Sequence, residues 1–425
     1  MSKLRAHPAW VPVLIIGALA LGMIGIAGCG DDDDDSGGGG GEALTEVGPG
    51  EGELNIICWA GYCEDGTVTK GIDWVTPFEQ ETGCQTNVKV GDTSDQMVDL
   101  MRTGQYDGVS ASGNATARLV EGGDVDPVNV DLVPNYETIF DDLKDQPYNT
   151  FDGTNYGIPH GRGADLLMWR TDQVKPDPTS WSVILDPNEA QKYSGKISVY
   201  DDPIYIADAA VYLKTHNPDL GIEDPYELDE NQFNAAVDLL KQQHPYVGDY
   251  WSAYLKQINL FTSGDDAVGT TWQYQYFTLL AEDVPVKAPG AEQGFVPKEG
   301  ATGWSDTWMI SSEAKNPNCM YLWMNYVTSA DVQAQIMQWF GEAPAQAQAC
   351  EPATVEAAGK KLDLPPDPKF CDSYHAGQPA TGELTDPFWD QVYFWKTPLA
   401  DCGDDRGSVC KDYNDWVSAW TEIKG

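Results

Sequence analysis

Between Pro297 and Ile310 the chain reads Pro297-Lys-Glu-Gly300-Ala-Thr-Gly-Trp304-Ser-Asp306-Thr-Trp308-Met-Ile310, with an indole, a carboxylate and a second indole at alternate positions. Successive side chains of an extended strand point to opposite faces, so Trp304, Asp306 and Trp308 share one face if this stretch is a strand. Aromatic ring faces and a carboxylate both favour a cation. Such a face therefore suits a ligand with an ammonium group, and the indoles would also cover its methylenes. A hydrophobic strand with one solvated Asp has the same pattern, so the rest of the chain must decide.

Other chemistry is sparse. Asp201-Asp202 and the many tryptophans suggest a carbohydrate-active site, yet adjacent strand residues face opposite ways and are no catalytic pair by themselves. His160, His216, His244 and His375 show no H-E-x-x-H spacing, and Gly108-Val-Ser-Ala-Ser-Gly113 misses G-x-S-x-G by one position. Asp124-Val-Asp126 with Asn129 and Asp131 lacks the Gly and terminal Glu of a calcium loop, and no C-x-x-C pair occurs. No catalytic residue, metal site or cofactor is expected.

The elements that must position the Trp-Asp-Trp stretch alternate between strand and helix. Leu54 to Trp59 reads as a strand, Thr67 to Thr82 as a helix stopped by Gly83, and Thr93 to Met101 as a capped helix. Beyond Tyr156-Gly-Ile-Pro159 a second alternating region follows. A strand ends at Asp201-Asp202, Phe233 to Gln243 is an amphipathic helix, and another strand runs into Trp272. Asn318 to Phe340 has helical spacing, the stretch from Glu351 to Gly407 is Pro-rich and irregular, and Tyr413 to Lys424 is a closing helix.

The N-terminus reads as an address. Lys3 and Arg5 precede an apolar run from Val11 to Gly28, and Ile26-Ala27-Gly28-Cys29 resembles a bacterial lipobox, with Cys29 the lipidated first residue of the mature chain. Asp31 to Asp35 and Gly37 to Gly41 form a tether, and the fold is expected to begin near Glu53. The eight remaining cysteines suggest up to four disulfides, with Cys402–Cys410 and Cys350–Cys371 closing plausible local loops. Net charge is −42, a field that repels nucleic acid and attracts cations but is also explained by solubility in a saline habitat.

Taken in order, Trp59-Ala-Gly-Tyr62, Phe78-Glu-Gln-Glu-Thr-Gly83, Tyr106-Asp107-Gly-Val-Ser110, Tyr156-Gly-Ile-Pro159, Ser180-Trp181, Gly195-Lys-Ile, Asp201-Asp202, Trp272, Pro297-Lys-Glu-Gly300 and Trp304-Ser-Asp306 resemble the spermidine/putrescine-binding proteins, the solute receptors of polyamine ABC importers. The resemblance implies an α/β, two-lobed periplasmic-binding-protein fold of type II, each lobe a mixed sheet flanked by helices, with a crossed hinge near Pro159 and Trp304. The segments would be a signal peptide (1–28), a tether (29–52), the first lobe (53–158, with a return at 305–345) and the second lobe (159–304, with a return at 346–425). It further implies a monomer on the outer side of a bacterial membrane, held by its lipid, that binds an amine-bearing solute and meets a permease.

Carried over by position, Trp59 and Tyr62 would line the cleft with Ser110 or Ser112 at its floor. Asp202 and Trp272 would face them, and Trp304 and Asp306 would sit at the hinge. Two departures stand out. Tyr205 occupies the position where the family tends to place a second carboxylate, and Arg162 follows the Ile-Pro strand where an aromatic is usual. An inward Arg162 would favour a zwitterion such as 4-aminobutyrate or a betaine-like compound, since guanidinium binds carboxylate in bidentate fashion. An Arg162 paired with Asp165 or Asp202 would leave a polyamine. A sugar receptor would explain the tryptophans but not the charge at Asp306.

Overall fold

The computed structural model describes residues 43–288, 297–364, 370–376, 388–403 and 406–425. The apolar N-terminal run, Cys29 and most of the acidic and Gly-rich tether lie outside them. Residues 43–52, expected to belong to the tether, are docked on the fold. The Glu51 carboxylate accepts from the backbone N–H groups of Asn318 and Cys319, both at 2.9 Å, at the start of the helix Pro317–Val327. Unpaired N–H groups at a helix N-terminus attract a carboxylate, which is why the chain is pinned there.

In chain order the strands are β1 (Glu53–Trp59), β2 (Gln85–Gly91), β3 (Gly108–Ala111), β4 (Val125–Asp126), the small hairpin β5 (Thr150–Phe151) and β6 (Thr154–Asn155), β7 (Ile158–Ala164) and β8 (Leu166–Arg170). They continue as β9 (Ile197–Tyr200), β10 (Val247–Trp251), β11 (Val268–Thr271), β12 (Val286–Lys287), β13 (Ala301–Ser311), β14 (Ala343–Pro344) and β15 (Val392–Phe394). One mixed sheet has the order β14-β7-β13-β3-β1-β2, with β4 and β15 pairing at either end of β13; the other has the order β10-β9-β11-β8-β12. Helices bracket both sheets, as the alternating pattern requires. On β1, Leu54, Ile56 and Cys58 enter one core while Ile57 enters another, the period-two signature of a strand buried on both faces.

Sequence signals set several helix ends. Thr93 caps Ser94–Met101 by accepting from the Gln96 N–H at 3.2 Å, Asp229 and Gln232 form a capping box at the start of Glu230–Gln243, and Gly83 ends Val75–Thr82 in the left-handed region at φ 78°. The long helical stretch expected from Asn318 to Phe340 is two helices, Pro317–Val327 and Ala330–Phe340. They part at Thr328, whose hydroxyl bonds back to the Met324 carbonyl at 2.6 Å.

The chain passes from the first sheet to the second at Asp165 and comes back before Ala301, so β7 and β13 lie wholly in the first sheet. The lobe boundaries drawn from the sequence, 158/159 and 304/305, fall inside these two strands. The closing helix Tyr413–Lys424 packs on the helix Glu230–Gln243 of the second sheet's layer, with the rings of Trp416 and Phe233 5.8 Å apart. Disulfides join Cys350 to Cys371 and Cys402 to Cys410, the two local loops expected, and also Cys58 to Cys63 and Cys84 to Cys319.

Two buried polar centres hold the frame. Asp107, between β3 and the helix before it, accepts from the backbone N–H groups of Asn55, Lys315 and Asn316 and from the Asn316 side chain, at 2.8–3.0 Å. It thereby ties β1 to the turn after β13. At the crossing, the Thr302 hydroxyl lies 2.7 Å from Asp165 and 3.1 Å from Asp208. Burial pushes Asp165 up to about 7, against the hydrogen bonds it accepts, and burial together with the Asp165 charge holds Asp208 well above the ordinary carboxyl range.

Two expectations follow from these centres. Asp107→Ala should lower unfolding free energy in urea by about 3 kcal/mol, because several buried N–H donors lose a charged acceptor at once. The crossing pair predicts a pH dependence. The folded state keeps a proton that the unfolded chain gives up near the ordinary Asp value, so stability is greatest at low pH and is lost as pH rises through about 7. The melting temperature should fall between pH 5 and pH 8, less steeply in Asp208→Asn; a rise over that range would contradict the assignment.

Candidate ligand cavity

The antiparallel pairing of β13 with β7 sets the site. Trp304 sits opposite Gly163 and Asp306 opposite Gly161, and the register then slips by one residue before Thr307 meets Pro159, which leaves His160 as a bulge. The glycines of His160-Gly-Arg162-Gly make room for the site. A Cβ at Gly163 would stand 2.1 Å from the Trp304 ring, and one at Gly161 would stand 2.2 Å from the Glu342 carboxylate.

A cavity of about 330 Å³ opens beside these strands, between the layers of the two sheets. Its walls are aromatic. Trp59 ends β1, Tyr62 lies in the loop closed by Cys58–Cys63, Trp272 precedes the helix Gln273–Ala281, and Trp395 follows β15. Ring centroids of Trp272 and Trp304 are 5.6 Å apart, and Tyr274 stacks on Phe340 at 5.6 Å. Among the described residues that line it, none is Lys, Arg or His, whereas Asp306, Glu64 and Asp92 bring carboxylates. Val68, Val90 and Leu255 also contribute to the lining and are among the most exposed large apolar side chains of the described residues, so the rim is apolar too.

Asp306 is buried and held from two sides. The Ser112 hydroxyl donates to Oδ1 at 2.5 Å, and the Tyr62 hydroxyl lies 2.8 Å from Oδ2. The same Tyr62 hydroxyl lies 2.9 Å from Oε2 of Glu342, which also accepts from the Trp304 indole N–H at 3.1 Å. Burial pushes Asp306 up to about 6, opposed by its hydrogen bonds, and pushes Glu342 up to about 8, with the Asp306 charge adding to the effect. The His160 ring lies 4.0 Å from that of Tyr62, tilted by 39°, and accepts from Trp308, and burial drives it down to about 3, so it carries no charge here.

Of the residues singled out in the sequence, the cavity brings together Trp59, Tyr62, Ser112, Trp272, Trp304 and Asp306. Trp308 shares their strand face but is core, edge-on to Trp323 at 5.6 Å. Ser110 is occupied with the Trp59 backbone N–H, which it accepts at 3.2 Å. Asp202 and Tyr205 stand outside the lining. Asp202 accepts from the Ile204 N–H at the start of the helix Tyr205–His216, and Tyr205 points into that layer, where Gln243 donates to its hydroxyl at 3.0 Å.

Arg162 also lies outside the lining. It pairs in register with Ser305, one residue off Asp306, so the pleat sends it to the opposite face. There its guanidinium meets Asp142 at 2.6 Å and covers the Trp389 ring at 4.5 Å, rather than pairing with Asp165 or Asp202. Glu342, Tyr274, Phe340 and Trp395 belong to the site or its backing and were not singled out in the sequence. The Gly341-Glu342 step, which ends a helix in the left-handed region at φ 89°, was the one local sign that the chain turns back toward β7.

Comparison with known proteins places this architecture. The putrescine/cadaverine-binding protein of Pseudomonas aeruginosa is 22% identical over 300 residues, 68% of this chain and 78% of that protein. The putrescine-binding periplasmic protein of Escherichia coli is 25% identical over 298 residues, 67% of this chain and 75% of that protein. The spermidine/putrescine ABC transporter substrate-binding protein of Streptococcus pneumoniae superposes with a TM-score of 0.62 at 16% identity, covering 87% of this chain and 97% of the other, so the type II periplasmic-binding-protein fold is shared. The model of the bacterial extracellular solute-binding proteins matches residues 73–362, well over half of the sequence. The chain therefore belongs to the bacterial extracellular solute-binding protein family, whose members bind a solute rather than convert it.

Proposed function

We propose that this protein is the substrate-binding component of an ABC importer and captures a small cationic amine of the putrescine or spermidine type. One observation carries the reading: the cavity presents the Asp306 carboxylate among indole and phenol rings, with no cationic side chain on its described lining. An ammonium at Asp306 makes a charge-assisted hydrogen bond out of water, and each ring contact adds about 0.5–2 kcal/mol. The apolar walls cover the methylenes, and Glu64 and Asp92 supply negative charge for a second amine.

Arg162 bears on the alternative. A zwitterion such as 4-aminobutyrate would need a cation for its carboxylate, and the guanidinium is turned to Asp142 and Trp389 on the far face of the sheet. The names of the relatives point to the same class of solute. We place the hinge at Asp165 and the chain just before Ala301, where the two sheets exchange strands, and infer that ligand contacts to both layers favour the closed state recognised by a permease. Cys29 would anchor the protein to the membrane through its lipid.

The test is a thermal-shift and calorimetric series with putrescine, spermidine, 4-aminobutyrate, glycine betaine and a neutral sugar. A ligand that binds only the folded state raises the melting temperature with occupancy. The diamine and triamine should do so and the zwitterions and sugar should not; a response confined to zwitterions or sugars would overturn the reading. Asp306→Asn should cost about 2–5 kcal/mol of binding, the range for removing one partner of a buried charge pair.

A further inference from the structure

We propose that Glu342, behind the cavity floor, holds a proton in the ligand-free protein and releases it when a cation reaches Asp306, so that capture of the amine is coupled to loss of one proton. This rests on the reading of the cavity as a cation site.

The Tyr62 hydroxyl has one hydrogen, yet it stands within hydrogen-bond distance of two carboxylates, 2.8 Å from Asp306 and 2.9 Å from Glu342. Both contacts can be hydrogen bonds only if one carboxyl supplies a further proton; otherwise the phenol oxygen faces a carboxylate oxygen lone pair to lone pair. Ser112 already donates to Asp306 at 2.5 Å, whereas Oε1 of Glu342 finds no partner among the described residues. The proton therefore belongs on Glu342, which donates to Tyr62, which donates to an ionised Asp306 at the cavity surface.

Among the described residues no neighbour supplies a compensating charge. From the loop after β1 comes Tyr62, from β13 come Trp304 and Asp306, from β7 comes the neutral His160, and Tyr374 sets its hydroxyl close to Gly341. Two negative carboxylates and no cation in a buried cluster hold a proton until a cation replaces it. The upward shift of Glu342 to about 8, caused first by burial and then by Asp306, agrees in direction. Glu342 does not line the cavity, so it acts through Tyr62 and Trp304 as a positioning residue and not as a ligand contact.

Calorimetry with putrescine at pH 7, in buffers of different ionisation enthalpy, reads the proton directly. The wild type should release close to one proton per ligand, with affinity rising up to about tenfold per pH unit between pH 6 and 8. Glu342→Gln should abolish the release and flatten the pH profile. No release from the wild type, or full release from Glu342→Gln, would overturn the proposal. Should putrescine not bind, the failure belongs to the ligand reading, and infrared spectroscopy of the ligand-free protein tests the proton independently. A protonated-carboxyl C=O band at pH 7 that is absent from Glu342→Gln supports it, and absence of that band from the wild type overturns it.

Discussion

The site depends on keeping a carboxylate out of water with no cation beside it among the described residues. Transfer of an ionised carboxyl to the interior is costly unless hydrogen bonds replace its hydration. Here Ser112 and Tyr62 supply those bonds, and each comes from a different part of the first sheet's layer, one at the end of β3 and one in the loop after β1. β13 brings Asp306 to both. The glycines on β7 let the neighbouring indole and the Glu342 carboxylate close in behind it.

This arrangement divides labour between the two sheets. The first carries the charged end of the cavity on strands that are buried on both faces. The second contributes aromatic wall through Trp272 and Tyr274, beside the start of a helix. Trp272 is not free to wander, since its indole N–H donates to Asp165 at 3.0 Å, the residue at which the chain changes sheets. A wall residue is thus tied to the crossing by a hydrogen bond. The same Asp165 shares Thr302 with Asp208, so the crossing is a second place where buried carboxyls are brought together.

Much of this was legible in the sequence because it rests on strand periodicity. Trp304 and Asp306 share a face, as their spacing required, and Trp59, Tyr62, Ser112 and Trp272 line the cavity at the positions that order along the chain suggested. What stayed hidden depended on register between distant segments. Arg162 is turned away because it lies opposite Ser305 and not opposite Trp304 or Asp306, and no local pattern fixes a pairing between strands well over a hundred residues apart. Asp202 and Tyr205 were displaced because the helix begins there and takes Asp202 as an acceptor for its first turn. Glu342 has no periodic context at all; it follows a helix end and meets Tyr62 only through the tertiary fold.

The order of strands in the first sheet has a consequence for how the molecule is made. β13 lies between β7 and β3, yet it is among the last strands of that sheet in the chain, and the whole second sheet intervenes between it and β7. A polypeptide emerging from its N-terminus presents β1, β2, β3 and β7 with an unfilled slot between β3 and β7, and that slot stays open until residues 301–311 arrive. Exposed strand edges of this kind invite pairing with other chains. Cys84 likewise cannot meet Cys319 until the residues that follow β13 have been made. The segment that carries Asp306 is also the one that fills the slot in the first sheet, so the cavity has no floor until that strand is in place.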